Sequence, residues 1–179
     1  MNKAIYQVRK LIEADAEAFF ALRLQGLKDS PSAFGSTYEE EAARGVDFVK
    51  ERFRTAHKRD NNPIFGAFER DKLGGVVGLF QYEQAKKRHR SMLWGMYVAP
   101  TARRSGAGRL LCQAAVDHVR ESLKDVEFID LVVESSNHPA KSLYSSMGFR
   151  IYGSQVKALK CGSEYFDEDL MSLPLSREG

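Results

Sequence analysis

Thiols and histidines are scarce in this sequence and follow no pattern. The two cysteines, Cys112 and Cys161, form no C-x-x-C pair. The four histidines, His57, His89, His118 and His138, show no metal-ligand spacing among themselves or with the cysteines. No zinc motif is present, no metal is expected, and the thiols are expected to be reduced. Long apolar runs are missing too: no window approaches the roughly 18 residues that a membrane span needs. The opening "MNKAIYQVRKLIEAD" turns polar too early to form the apolar centre of a signal peptide. A cytoplasmic location with no membrane partner is the expectation. Charge of one sign is not in excess either, since 27 Lys+Arg against 24 Asp+Glu give +3, too mild to point to nucleic acid. Repeats, low-complexity tracts and linkers are also lacking.

What is present describes one globular domain. The chain has 179 residues, 43% hydrophobic and 28% charged, long enough to bury a core. Residues 4–12 alternate apolar and polar and predict a strand. Asp15 precedes a helix with an apolar face of Phe19, Phe20, Leu22, Leu24 and Leu27, ended by Asp29, Ser30 and Pro31. Thr37 and Glu40 form a capping-box pattern that opens helical material to about His57, divided at Gly45. Segments 64–70 and 73–83 predict a hairpin, and 91–98 a third strand after a charged loop. From Gly108 a helix is predicted, with Leu111, Ala115, Val119 and Leu123 at four-residue spacing. Residues 126–134 are nearly continuously apolar, as in a strand buried on both faces. Pro139 opens a short helix that stops at Gly148, and two more strands finish the chain. The predicted order is β-α-α-β-β-β-α-β-α-β-β, an α/β (α+β) domain with a mixed sheet of about seven strands. The unit 91–134 should be a parallel crossover.

The stretch "VAPTARRSGAGRLL" (98–111) carries the chemistry. A helix N-terminus offers amide groups without intrahelical partners and the positive end of the dipole. Gly106 and Gly108 leave those donors unobstructed and permit positive φ, and Arg103, Arg104 and Arg109 add charge for phosphate oxygens. A helix that merely begins in a glycine turn, with solvated arginines, is the other reading of the same residues. Two phosphate motifs are excluded: a Walker loop would need Lys and Ser or Thr where Arg109 and Leu110 stand, and a dinucleotide fingerprint would need Gly at Leu111.

The spacing Arg103-x-x-Gly106-x-Gly108, entered from a strand ending "YVAP", resembles the acyl-CoA pyrophosphate loop of the GCN5-related N-acetyltransferases (GNAT). The segment "NHPAKSLYSSMGF" (137–149) is similar to a second motif of that family, with Asn137, Ala140, Tyr144, Gly148 and Phe149 in place. The resemblance runs from about residue 4 to residue 173 of a single 1–179 domain. It implies an enzyme that moves an acetyl group from acetyl-CoA directly to a primary amine. It implies that the diphosphate lies on the amides of Arg104, Ser105, Gly106, Ala107, Gly108 and Arg109, with Arg103 at the start of the loop. It further implies that Met96, Tyr97 and Val98 bond the pantetheine arm through their backbone, and that Asn137 holds it from the other side. Tyr144, two helical turns after Asn137 and on the same face, would reach the sulfur and act as general acid. A backbone amide near Met96 or Tyr97 would stabilise the oxyanion. Structural roles compete at both positions: a core aromatic for Tyr144, a helix cap for Asn137.

The chain departs from the family where some members carry a glutamate base: those positions are Met92 and Val132. Glu134, Glu83, Tyr97 and Tyr165 are the remaining candidates, beside a water-mediated route or an acceptor that arrives neutral. The family's acceptor-shaping regions are acidic here, with Glu39, Glu40, Glu41, Asp167, Glu168 and Asp169, which suits a cationic amine; a solvated charged face explains them too, and is the favoured reading. The basic run "KKRHR" (86–90) lacks interleaved aromatics and reads as a solvated loop, so no nucleic-acid partner is expected. A non-catalytic acyl-CoA-binding module is the alternative function, an ATP or NAD site a third. Monomer and homodimer are both compatible with an exposed edge in the last hairpin.

Overall fold

The computed structural model describes residues 6–56 and 60–175. Ala4, Ile5 and His57, which bound the first strand and the second helical stretch as read above, lie outside the described residues. The elements are β1 (Gln7–Lys10), α1 (Ala16–Asp29), α2 (Tyr38–Ala56), β2 (Ile64–Glu69), β3 (Lys72–Gln81), β4 (Arg90–Val98), α3 (Ala107–Ser122), β5 (Phe128–Glu134), α4 (His138–Ser146), β6 (Arg150–Cys161) and β7 (Glu164–Pro174). Their order is the predicted one, and the seven strands form one sheet ordered β1-β2-β3-β4-β5-β7-β6.

Local chemistry sets the boundaries. Asp15 does not cap α1 with its side chain; its carboxylate accepts from the Ile12 amide at 2.8 Å and from both Nη atoms of Arg9, tying β1 to the helix start. The capping box of α2 is formed as expected, Thr37 Oγ1 accepting from the Glu40 amide and Glu40 Oε2 from the Thr37 amide. Gly45, at φ 72° and ψ 172°, breaks α2 into two segments.

The sheet is two antiparallel halves, β1-β2-β3-β4 and β5-β7-β6, joined by a short parallel seam. Only Arg90↔Phe128, Ser91↔Ile129 and Met92↔Asp130 pair across it. One core lies between the sheet and α3 and α4, with Leu111, Cys112, Val119, Leu131 and Phe149 at its centre. A second lies under α1 and α2, with Phe19, Phe53, Val76 and Tyr97. β5 corrects the sequence reading: it starts at Phe128 rather than Val126 and is not buried on both faces. Leu131 and Val133 are buried against the α3/α4 side, but Val132 is 39% exposed. α1 packs mainly over β3 and β4, and β5 is met on that face by the turn 31–33 that follows it.

β4 carries a bulge. Val76 pairs with Tyr97 and Gly78 with Trp94, so Gly95 and Met96 together oppose Val77, and Gly95 adopts φ +61°. The extra residue inverts the alternation: Leu93, Met96 and Val98 face the α3/α4 core, while Trp94 and Tyr97 face α1. Tyr97 donates to Asp29 Oδ2 at 2.5 Å and lays its ring against Gly26, fixing the end of α1 to the strand. Trp94 lies on Gly78, where a Cβ would come within 2.1 Å of the indole. Gly78→Val should therefore destabilise the fold by about 1–3 kcal/mol, the usual cost of overpacking. Trp94 is the only tryptophan, so urea unfolding followed by its fluorescence reads both the loss and the displaced ring. An unchanged midpoint and emission would refute this packing.

Candidate active site

Beyond Met92 and Asp130 the strands β4 and β5 part, and their facing backbone edges pair with nothing across the gap. Buried main-chain N–H and C=O groups require partners, so an opened seam is a place for an extended ligand to bond. A cavity of about 560 Å³ occupies it. Its wall takes Gly108, Leu143 and Tyr144 from the α3/α4 side and Phe34, Trp94 and Val132 from the α1/α2 side. The cavity thus passes through the sheet and joins its two faces.

At the α3 end the loop matches an anion cradle. Arg104 (φ +60°) and Gly106 (φ +96°) are both left-handed, which turns successive amides toward one side. Gly106 has open space where a Cβ would project. Ser105 Oγ takes the Ala107 amide at 3.2 Å, and the first intrahelical bond of this turn runs from Leu110 to the Gly106 carbonyl. The earlier amides have no helical carbonyl behind them. Of the two glycines that permit positive φ only Gly106 uses it, the other left-handed residue being Arg104, and the helix begins at Ala107, one residue before the expected Gly108. Gly108 serves close packing, since a Cβ there would stand 3.3 Å from both Leu143 and Met96. The arginines also divide: Arg103 Nε donates to the Val98 carbonyl, Arg109 Nη1 to Ser146 Oγ, and the exposed Arg104 makes no ion pair among the described residues.

Asn137 and Tyr144 both reach the cavity. Asn137 caps α4, its Oδ1 accepting from the Ala140 amide at 3.2 Å, so the cap and the cavity wall are one residue. Tyr144 is 8% exposed and edges onto Phe149. Its hydroxyl donates to the Met96 thioether at 3.4 Å, and Cys112 Sγ meets the same sulfur at 3.5 Å. Burial, helped by Cys112, pushes the Tyr144 phenol well above its ordinary value, and burial raises the Cys112 thiol to about 12. Both hydrogens stay on at neutral pH. Tyr144 is a donor held by a weak acceptor, ready to exchange it for a better one.

The candidate bases separate clearly. Tyr97 is bound to Asp29 and pushed up to about 12, burial being the larger cause, and its hydroxyl lies on the α1 side. Tyr165 is exposed beneath Lys157 and Lys160, and Glu83 lies on the surface after β3. Glu134 lines the cavity, with its Oε1 accepting from the Ser136 amide and hydroxyl. Four of the six acidic residues have structural partners: Glu40 caps α2, Glu41 pairs with Arg23 and Arg44, and Asp167 accepts from the Lys157 amide. Asp169 binds Lys141 Nζ at 2.6 Å together with Ser135 and Ser154. Of the basic run, Lys87 stands over Tyr82 and Arg90 pairs with Asp130. Gly95, Trp94 and Phe34 line the cavity without having been singled out in the sequence. An isolated Gly inside a strand pattern is a bulge signal and could have identified the first. Among the described residues no group of three or more His, Cys, Asp or Glu is placed to hold a metal ion, and no helix is long and apolar enough to cross a membrane.

Residues 27–149 match the sequence model of the acetyltransferase (GNAT) family. The chain belongs to that family. Acetyl-CoA is the family's cosubstrate. Among relatives, it is 37% identical over 79 residues to the UPF0157 protein YqkA of Bacillus subtilis, covering 44% of this chain and 21% of that protein. It is 34% identical over 89 residues to a mycothiol acetyltransferase of Propionibacterium freudenreichii, covering 49% of this chain and 28% of that protein. The chain thus spans less than a third of these relatives' lengths. The fold matches that of the putative acetyltransferase YncA of Salmonella typhimurium, solved with its cofactor acetyl-CoA, with TM-score 0.84 at 17% identity over 98% of this chain and 96% of that one.

In this GNAT chain the loop that carries Asn137 is braced by Asp169 through Lys141 and Ser135. Lys141 first, then the serine hydroxyls, hold the Asp169 carboxyl down at about 2, below the ordinary 3.8. A carboxyl lowered by folding stabilises above its unfolded pKa, and that stabilisation is lost as pH falls through the folded value. Asp169→Asn should lower stability by about 1–3 kcal/mol at neutral pH, the range for hydrogen bonds to a charged group. The gap between wild type and variant should hold down to about pH 4 and close toward pH 2 in thermal melts. A gap independent of pH over that range would contradict the assignment.

Proposed function

We propose that the chain transfers an acetyl group from acetyl-CoA to a primary amine, directly and within one ternary complex. The observation that carries this reading is the cavity through the sheet. It has a helix N-terminus with two left-handed residues at one side, open β4 and β5 edges along its length, and a buried phenol in its wall. A diphosphate suits the amides of Arg104 to Arg109, and a pantetheine arm suits the unpaired edge from Leu93 to Val98. The YncA structure, which contains acetyl-CoA, supports the same choice of ligand.

The chain's own groups then have definite tasks. Tyr144 donates its proton to the departing sulfur, whose conjugate acid has a pKa near 8.5 on the cysteine scale. A main-chain amide at Met96 or Tyr97 is the candidate donor for the developing oxyanion. Asn137 fixes the start of α4 and with it the phenol seven residues on. Neither Met92 nor Val132 offers a carboxylate, which is the observation favouring the second reading, an acyl-CoA-binding module without acceptor chemistry. Turnover across a panel of amines separates the two.

Tyr144→Phe should lower kcat by about 10²-fold or more, within the range for a lost general acid, with acetyl-CoA affinity nearly unchanged; full turnover in this variant would remove Tyr144 from the chemistry. Gly106→Val strains a φ of +96° and fills the cradle, so the thermal shift given by acetyl-CoA and CoA should disappear. In the wild type a ligand at 100 times its Kd adds about 2.7 kcal/mol, and neither ATP nor NAD should reproduce it. Because burial raises the Tyr144 phenol, no fall in kcat between pH 7 and about pH 10 should trace to it. The pH profile of Tyr144→Phe should therefore parallel that of the wild type on that limb.

A further inference from the structure

Behind the α1/α2 wall of the cavity, against its lining residues Phe34, Trp94 and Gly95, lies positive charge that the fold does not satisfy. Arg23, in α1, is 9% exposed, its guanidinium stacked on the Phe34 ring at 4.6 Å. Its Nη1 is buried without a hydrogen-bond partner. Its Nη2 lies 3.6 Å from Glu41 Oε1, beyond hydrogen-bond length, and Arg44 shares that same oxygen at 3.5 Å. Arg52, half-buried in α2, lies over the Trp94 ring at 4.1 Å and makes no ion pair among the described residues. Burial lowers both guanidinium pKa values, and the Arg23 and Arg44 charges lower that of Arg52 further. Three guanidinium groups thus draw on one carboxylate. A buried cation short of hydrogen-bond partners is costly, so a missing anion is the simplest completion of this cluster.

Its location gives the anion a purpose. Phe34, Trp94 and Gly95 line the cavity, and these are the residues that touch or approach the two arginines. A Cβ on Gly95 would sit 3.6 Å from Arg23 Nη1, so the guanidinium reaches the cavity wall where the bulge presents bare backbone. Met96 follows immediately and faces Tyr144. One residue of strand is about 3.3 Å, which puts the charge within one small molecule's length of the transfer site. Guanidinium groups meet carboxylates as planar forks, and flanking aromatic rings fix the planes of both.

We propose that the acceptor is a short amino acid whose carboxylate is received by Arg23 and Arg52 beneath the Gly95 bulge, with its amino group directed at Met96 and Tyr144. This assignment rests on the acetyltransfer reading above. It stands in place of the expectation of a cationic acceptor, four of whose six acidic residues, Glu40, Glu41, Asp167 and Asp169, are engaged with Arg23, Lys141 or backbone amides.

The test measures CoA thiol release from acetyl-CoA with α- and β-amino acids, their amides, and the corresponding amines lacking the carboxylate. Acetyl-CoA binding is followed in parallel by thermal shift. The expected result is a preference for the free carboxylate over its amide of at least about tenfold in kcat/KM, carried mainly by KM. Arg52→Gln should reduce that preference severalfold while the acetyl-CoA shift is kept. Arg23→Lys, which retains charge but not the fork, should weaken it as well. A shift with acetyl-CoA and turnover of amines, but equal rates for acid and amide, would overturn the acceptor assignment and leave acetyl transfer standing. A full preference in both arginine variants would overturn the assignment of these residues. Acetyl-CoA binding with no turnover on any member would overturn acetyl transfer and the acceptor with it, whereas no shift at all would first remove the cosubstrate site.

Discussion

The structure depends on a seam that stops early. Three residue pairs join the antiparallel half β1-β2-β3-β4 to the antiparallel half β5-β7-β6. Each half has a stronger claim on its own strand than the seam does. β5 is paired with β7 along its whole length from Phe128 to Glu134, and β4 with β3 almost to its end. Strand twist accumulates within each ladder, so two ladders that start in register at Ser91 and Ile129 diverge a few residues later. The opening is therefore built by the sheet's own hydrogen bonding rather than cut by a loop. It leaves main-chain donors and acceptors facing a cavity where a flat sheet would have consumed them.

Gly95 turns that opening into a site with two different faces. Its extra residue places Met96 on the side of Tyr144 and Cys112 while Trp94 and Tyr97 point to α1. Without the bulge, strict alternation would send Met96 to the face of Trp94, and the phenol would lose its sulfur contact. The right-handed crossover from β4 through α3 to β5 then brings the start of α3 to the end of the same strand, beside the gap. Gly108 permits the close approach of that helix to Met96 and Leu143, which keeps the amide cradle and the phenol in one rigid unit. Asp169 ties the loop before α4 to β7, so the other wall is equally fixed.

Much of this was legible in the chain. Periodicity and turn residues gave every element in order. The glycine spacing marked the cradle, and the seven residues between Asn137 and Tyr144 marked two side chains on one face of a helix. Thr37 with Glu40, and Gly45, read correctly because capping and left-handed backbone are local events. The failures are non-local. Whether Val132 is covered depends on how far α1 and α2 reach across the sheet, and no pattern within β5 reports that. The partners that two of the acidic residues find, Arg23 for Glu41 and Lys141 for Asp169, are distant in sequence, so no local pattern announces them. Arg23 itself carries no motif; only docking of α1 on the bulge buries it.

The two faces also bear on the proton that an attacking amine must lose. An ordinary alkylammonium, with a pKa near 10, is mostly charged at neutral pH, and the family's carboxylate positions hold Met92 and Val132. Nearby cations favour the neutral form of an amine. With a carboxylate seated on Arg23 and Arg52, the cluster of three guanidiniums, Glu41 and that carboxylate still carries net positive charge, directly beside the amino group. The arginines that would select the acceptor are in this way also the groups that would lower its pKa, which is consistent with a chain that has no carboxylate at either family position.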